Sequence, residues 1–154
     1  MKTKTDNIDF ENSVGPWLGR TVKLIEFYLQ EQFKSHGLSL TKEQMIVLKK
    51  LHDQDGISQN NLAFLTLRDK SSLTRLLGKM ENKGYIKRQQ CDTDKRVNHV
   101  FITDIGREVF NQSRPAIKNT LDTLEHNITE EEKQQIIKTL KKIQQNFDSE
   151  FESI

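Results

Sequence analysis

One cysteine, two prolines and seven glycines are spread over 154 residues, and each scarcity excludes something. The solitary thiol, Cys91, cannot close an internal disulfide, so the fold must be held by packing, and a reducing cytoplasm is the expected setting. No apolar run approaches the roughly 20 residues of a bilayer-spanning helix. The N-terminal stretch MKTKTDNIDF also lacks the apolar segment of a signal peptide, so neither a membrane partner nor export is expected. His36, His52, His99 and His126 are scattered without ligand spacing, which argues against a metal site. A Gly-rich phosphate loop and a nucleophile–base pair are missing too, so neither an enzyme nor a bound cofactor is expected. Overall charge names no partner, since 24 Lys and Arg stand against 22 Asp and Glu, a net of +2.

What is present is an uneven distribution of that charge. Between Thr66 and Val100, nine Lys or Arg face four Asp or Glu, a net of +5, which leaves −3 for the rest of the chain. A basic middle in an otherwise acidic chain points to a local site for a polyanion. Leu, Ile, Val and Phe make up about 28% of residues, enough for a core in one ordinary domain or one compact unit with helical extensions.

With so few breakers, the elements are read from caps and changes of period. Leu18, Val22, Ile25, Leu29 and Phe33 recur at threes and fours and predict a helix from Trp17 to Phe33. The stretch SHGLSL stops it, with Gly37 as a left-handed cap. Thr41 and Gln44 form a capping-box pattern ahead of a second helix bearing Met45, Leu48 and Leu51. A short third helix is expected from Ser58 to Leu65, with Leu62 and Leu65 inward, and a fourth from about Asp69 to Asn82, ended by Gly84. Then the period changes: YIKRQQ and VNHVFI, separated by six polar turn-formers, read as a hairpin. Thr103 opens another helix, bent or interrupted near Pro115. Thr129 and Glu132 make a second capping box before a last helix, where Ile136, Leu140, Ile143, Phe147 and Phe151 form a stripe wanting a partner.

The expected fold is therefore mainly α with a small β-hairpin wing, in the order of a winged helix-turn-helix. Its fourth helix carries the chemistry. Leu73, Leu76, Leu77 and Met80 share one face, and Ser71, Ser72, Thr74, Arg75, Lys79 and Lys83 the other. Small side chains let the helix end approach the floor of a major groove, hydroxyls bond phosphates or base edges, and Arg75 can read guanine bidentately. Lys70 and Lys79 supply charge for phosphates. At the hairpin tip, Lys95 and Arg96 are long cations that packing does not require, and Arg96 suits an adjoining minor groove. Asp94 either neutralises them on an ordinary turn or holds a basic side chain in position. A solvated face that happens to be basic is the bland alternative; the wing one helix away tells against it.

The stretch GISQNNLAFLTLRDKSSLTRLLGKMENKGYIKRQQCDTDKRVNHVFITDIG resembles the DNA-binding core of the MarR family, the multiple antibiotic resistance regulators. The matching elements are Gly56, Leu62, Ala63, Thr74, Arg75, Glu81, Gly84, Arg88, Asp94, Arg96, Thr103 and Gly106, and the similarity runs roughly from Asn12 to Val109. The family often has Arg where this chain has Lys95, which keeps the charge but loses the planar fork. The resemblance implies a homodimer, with dimerisation segments at residues 1–36 and 107–154 and a winged DNA-binding domain at 37–106. It implies a sequence-specific transcriptional regulator, a repressor bound to a near-palindromic double-stranded operator and released by a small-molecule or stress signal. Ser71, Ser72, Thr74 and Arg75 would enter the major groove and Arg96 the minor groove. The rival function is a winged-helix protein-interaction module without specific DNA binding.

Independently of family, the apolar stripe of the last helix argues for a dimer, because in a chain with little further core a monomer would expose it; packing within the chain on the first helix is the alternative. The resemblance further implies a small aromatic effector held between the winged domain and the dimer helices. Trp17 and Arg20 offer an aromatic plane and a cation for such an acid; the plainer reading makes Trp17 dimer core and Arg20 a partner of a carboxylate. Cys91 lies near Arg88 and Lys95, cations expected to lower its pKa, yet it stands alone and away from the first helix, where the family's sensing cysteines lie, which favours an incidental strand-end residue over a redox sensor.

Overall fold

The computed structural model describes residues 7–147. Its elements are α1 (Val14–Ser35), α2 (Lys42–Asp53), β1 (Ile57–Ser58), α3 (Gln59–Leu65), α4 (Lys70–Asn82), β2 (Ile86–Gln90), β3 (Asn98–Ile102), α5 (Asp104–Leu124) and α6 (Glu130–Gln145). Short polar side chains begin most of the helices. Thr41, Ser58, Asp69, Thr103 and Thr129 each accept a hydrogen bond from the backbone N–H three residues on, and Thr41–Gln44 and Thr129–Glu132 close full capping boxes.

Three helices stop in the same way. After α1, α3 and α4, Gly37, Leu67 and Gly84 adopt φ of 67°, 53° and 78°. The next N–H in each case reaches back to a carbonyl of the last turn: Leu38 to Phe33, Arg68 to Ala63 and Tyr85 to Met80, at 2.9 to 3.0 Å. Leucine carries the left-handed conformation in the middle case, so the turn of the helix-turn-helix is held against its own backbone preference.

The hairpin acquires a third strand. β1 pairs antiparallel with β3, Ile57 opposite Val100, and β3 pairs with β2, Arg88 opposite Val100, giving the order β1-β3-β2. Two residues are too few to show a period, so β1 carries no signal in the sequence. The core lies where α2, α3 and α4 meet this sheet: Val47, Leu48, Leu51, Leu62, Leu77, Met80 and Val100 are fully buried.

Two expectations are corrected. Leu65 is 36% exposed and Ala63 is buried in its stead, because α3 ends at Leu65 and the chain turns away toward α4. Pro115 does not interrupt α5, which runs through it for 21 residues along α1. The backbone bond that proline forfeits is offset by packing, with Ser113 and Ala116 fully buried on either side of it. The predicted stripe on α6 is present but bare, with no buried residue in the helix and Ile136 55% exposed. Phe151, its last member, lies outside the described residues.

Candidate nucleic-acid interface

Burial of Leu73, Leu77 and Met80 fixes the rotation of α4 and leaves Lys70, Ser71, Thr74, Arg75 and Lys79 exposed. None of Lys70, Arg75, Lys79 and Lys95 forms an ion pair among the described residues. The two other hydroxyls on this helix are partly committed. Ser72 is half-buried, and its Oγ accepts from Arg68 Nη1 at 2.7 Å; Thr74 Oγ1 donates to the Lys70 carbonyl at 2.8 Å. Thr74 therefore keeps only acceptor capacity for a ligand, whereas Ser71 presents its hydroxyl outward.

Lys83 does not belong to this face. Its Nζ donates to the Ser39 carbonyl at 3.1 Å and to Gln44 Oε1 at 3.2 Å, and lies 5.6 Å from the Tyr85 ring centre. Arg88 is also turned inward: its N–H, Nε and Nη2 all donate to the carboxylate of Glu81, with Nη2 at 3.1 Å from Oε1. These bonds from Arg88 hold the Glu81 carboxyl below the usual carboxylate range. The pair ties the last turn of α4 to the first strand of the wing, so two of the nine cations in the basic stretch build the site and do not face a ligand.

The wing turn is closed by Cys91 N–H to the Val97 carbonyl at 2.8 Å and Val97 N–H to the Asp94 carbonyl at 3.0 Å. Within it, Asp94 Oδ1 accepts from the backbone N–H of Arg96 at 3.1 Å and from its Nε at 3.3 Å, while the guanidinium side chain stays 91% exposed. Asp94 is thus a holder of Arg96. The thiol of Cys91 is pushed down to about 7, chiefly by the Thr93 hydroxyl at 3.2 Å and then by the N–H groups of Asp94 and Thr93. Arg88 and Lys95, the cations expected to do this, are not the cause. His99 is raised by its bond to the Gly56 carbonyl at 2.9 Å.

The structure brings Lys70 and Thr74 of α4 and Arg96 of the wing to one notch of about 140 Å³. Trp17 and Arg20 are exposed on α1, and the Trp17 indole donates to the Glu11 carbonyl at 2.7 Å. Neither lines the larger cleft of about 670 Å³ between α2 and α5, whose walls include Lys49, His52, Phe110, Arg114, Ile117 and Lys118. There Phe110 lies 5.0 Å from His52 ring to ring and 5.3 Å from the Arg114 guanidinium. Sequence reasoning missed this aromatic and cationic cluster because its members are some sixty residues apart on separate helices.

Helix, turn, exposed basic recognition helix and cation-tipped wing define a winged helix-turn-helix. The family model of the MarR family matches residues 40–97, and the chain carries a MarR-family winged-helix domain. Solved structures agree over nearly the whole chain. A MarR-family transcriptional regulator from Silicibacter pomeroyi is 25% identical with a TM-score of 0.74, over 92% of this chain and 94% of that one. A mutant MarR from E. coli, complexed with operator DNA, is 24% identical with a TM-score of 0.79, over 88% and 99%. Bordetella bronchiseptica BpsR, whose DNA binding is regulated by 6-hydroxynicotinic acid, shares the fold at 20% identity and a TM-score of 0.81, over 90% and 97%.

Proposed function

We propose that this protein is a homodimeric, sequence-specific DNA-binding transcriptional regulator that represses from a near-palindromic operator. The observation that carries the reading is the meeting of Lys70, Thr74 and Arg96 at one notch, with Arg75 and Lys79 exposed and unpaired beside them on α4. Recognition helix and wing then address one duplex together, Ser71, Ser72, Thr74 and Arg75 in the major groove and Arg96, steadied by Asp94, in the minor groove. Lys70, Lys79 and Lys95 neutralise phosphates. That the E. coli relative has been solved with operator DNA supports duplex DNA as the partner.

Residues 37–106 form the DNA-binding unit in this reading, and segments 1–36 and 107–154 the dimer. Exposed Trp17, Leu24 and Phe27 on α1 and Ile136 on α6 supply the apolar surface for a second copy. The cleft between α2 and α5 takes the effector, an aromatic acid stacked near Phe110 with its carboxylate toward Arg114, since Lys49 and Lys118 are already paired with Asp53 and Asp122 on the same walls; Trp17 and Arg20 are left to the dimer. BpsR, which responds to such an acid, lends support.

Selection of bound fragments from random duplex DNA, followed by titration of the winner across a salt series, tests the reading. Arg75→Ala is expected to cost about 1 to 3 kcal/mol on the selected site and to relax one base position. Lys79→Ala should weaken selected and random duplexes alike and lower the salt slope by about 1. Sequence-blind, salt-insensitive binding would reject the assignment and favour a protein-interaction module.

A further inference from the structure

Lys70, on the first turn of α4, and Arg96, on the wing, line the same notch of about 140 Å³, and the remaining polar side chains there are Gln59, Asn60, Asn98 and Thr74. No carboxylate lines it; Asp94 is occupied in holding Arg96. Two cations and three carboxamides make a surface complementary to a small oxyanion, the cations giving charge and the amides directed N–H donors. At about 30 Å³ for a water molecule, the space suits a few waters or one phosphate group.

Gln59 adds a separate mark. Its Oε1 is buried and has no hydrogen-bond partner among the described residues. The buried oxygen cannot meet a ligand, but Nε2 of the same carboxamide is not buried and forms no hydrogen bond among the described residues, so it is the end left to donate to an arriving acceptor.

We propose that this notch seats a single phosphate group, with Asn60, Asn98 and Gln59 as amide donors between Lys70 and Arg96. The inference rests on the DNA-binding reading above and takes the occupant to be a backbone phosphodiester. Seating one phosphate between α4 and the wing fixes both elements on the strand before any base is read. The contact carries no sequence information, so its loss is felt equally on every duplex. Free phosphate shares the chemistry and competes for the seat.

The test uses the full chain with the selected operator and a random duplex. Asn60→Ala and Asn98→Ala should each weaken both duplexes alike, by about tenfold, the scale of one charge-assisted hydrogen bond. Asn60→Asp should weaken them further by facing a carboxylate to the phosphate, while an acid in the first turn of α3 leaves the fold intact, as thermal melts will show. Neutral methylphosphonate placed at one backbone position after another should abolish the Asn60→Ala penalty at the seated phosphate only. Inorganic phosphate, against chloride of equal ionic strength, should displace DNA from the wild type and lose that advantage on Asn60→Asp. Folded alanine variants that bind within about twofold of the wild type, while Lys70→Ala weakens binding, overturn the DNA seat and leave the DNA-binding reading standing. A phosphate advantage surviving in that case reassigns the seat to free phosphate. Absence of salt-dependent DNA binding by the wild type removes both readings together.

Discussion

At the residue scale, two glycines of the basic stretch and its flank are required for different physical reasons. Gly84 has φ of 78° and only the Ile105 side chain, at 3.7 Å, near a prospective Cβ, so its demand is conformational. Gly106, three residues after the Thr103 cap, has no unusual φ; a Cβ there would fall on the Tyr85 carbonyl oxygen, far inside contact, and 3.0 Å from Ile102 Cγ1. The first turn of α5 is thereby pressed against the end of the recognition helix, with Thr103 Oγ1 donating to the Gly84 carbonyl at 2.5 Å. We expect Gly106→Ala to lower stability by about 3 kcal/mol or more, because backbone on both sides must move. Gly84→Ala should cost about 1 to 2 kcal/mol through the left-handed conformation alone. Urea midpoints measure both, and equal losses would contradict the distinction. The sequence marked Gly106 only through a family resemblance; the reason for it, a carbonyl from twenty-one residues earlier, is a tertiary fact.

Among elements, the joint between α4 and the wing decides whether the two face one ligand. Glu81 and Arg88 make that joint, and the Arg88 hydrogen bonds depress the Glu81 carboxyl below its ordinary 4.5. A depressed folded pKa contributes stability that is fully present above the unfolded value and is lost as pH falls through the folded one. Glu81→Gln should therefore be less stable than the wild type at pH 7, with the gap closing below about pH 4.5. Thermal melts across pH 3 to 7 check this, and a gap that widens on acidification would contradict it. The partly exposed pair keeps the effect modest. Caps and periods revealed the elements themselves well, including both capping boxes and the ends at Gly37 and Gly84. They failed at β1, too short for a pattern, and at Leu65, where a turn removes a residue from the face its spacing assigned; of the bend or interruption expected at Pro115, the interruption does not occur, because packing on α1 carries the helix through.

For the whole molecule, the apolar surface left on α1 and α6 is what remains unexplained by the single chain. Leu24, 61% exposed, and Ile136, 55% exposed, are far too bare for helices of a finished core. In sedimentation, the protein should run at twice its 18.0 kDa chain mass, and Leu24→Glu combined with Ile136→Glu should return it to that mass and weaken operator binding. A double variant that stays dimeric would place the interface elsewhere. By itself the sequence determined the helices, the wing, the basic middle and the candidate DNA-reading residues, because period, caps and charge act between neighbours a few residues apart. Only the tertiary structure decided which cations are available, since Lys83 and Arg88 are consumed by Gln44 and Glu81 while Lys70 and Arg96 converge on one notch. A side chain's partner depends on which elements pack together, and that is set by burial of the core and not by spacing along the chain.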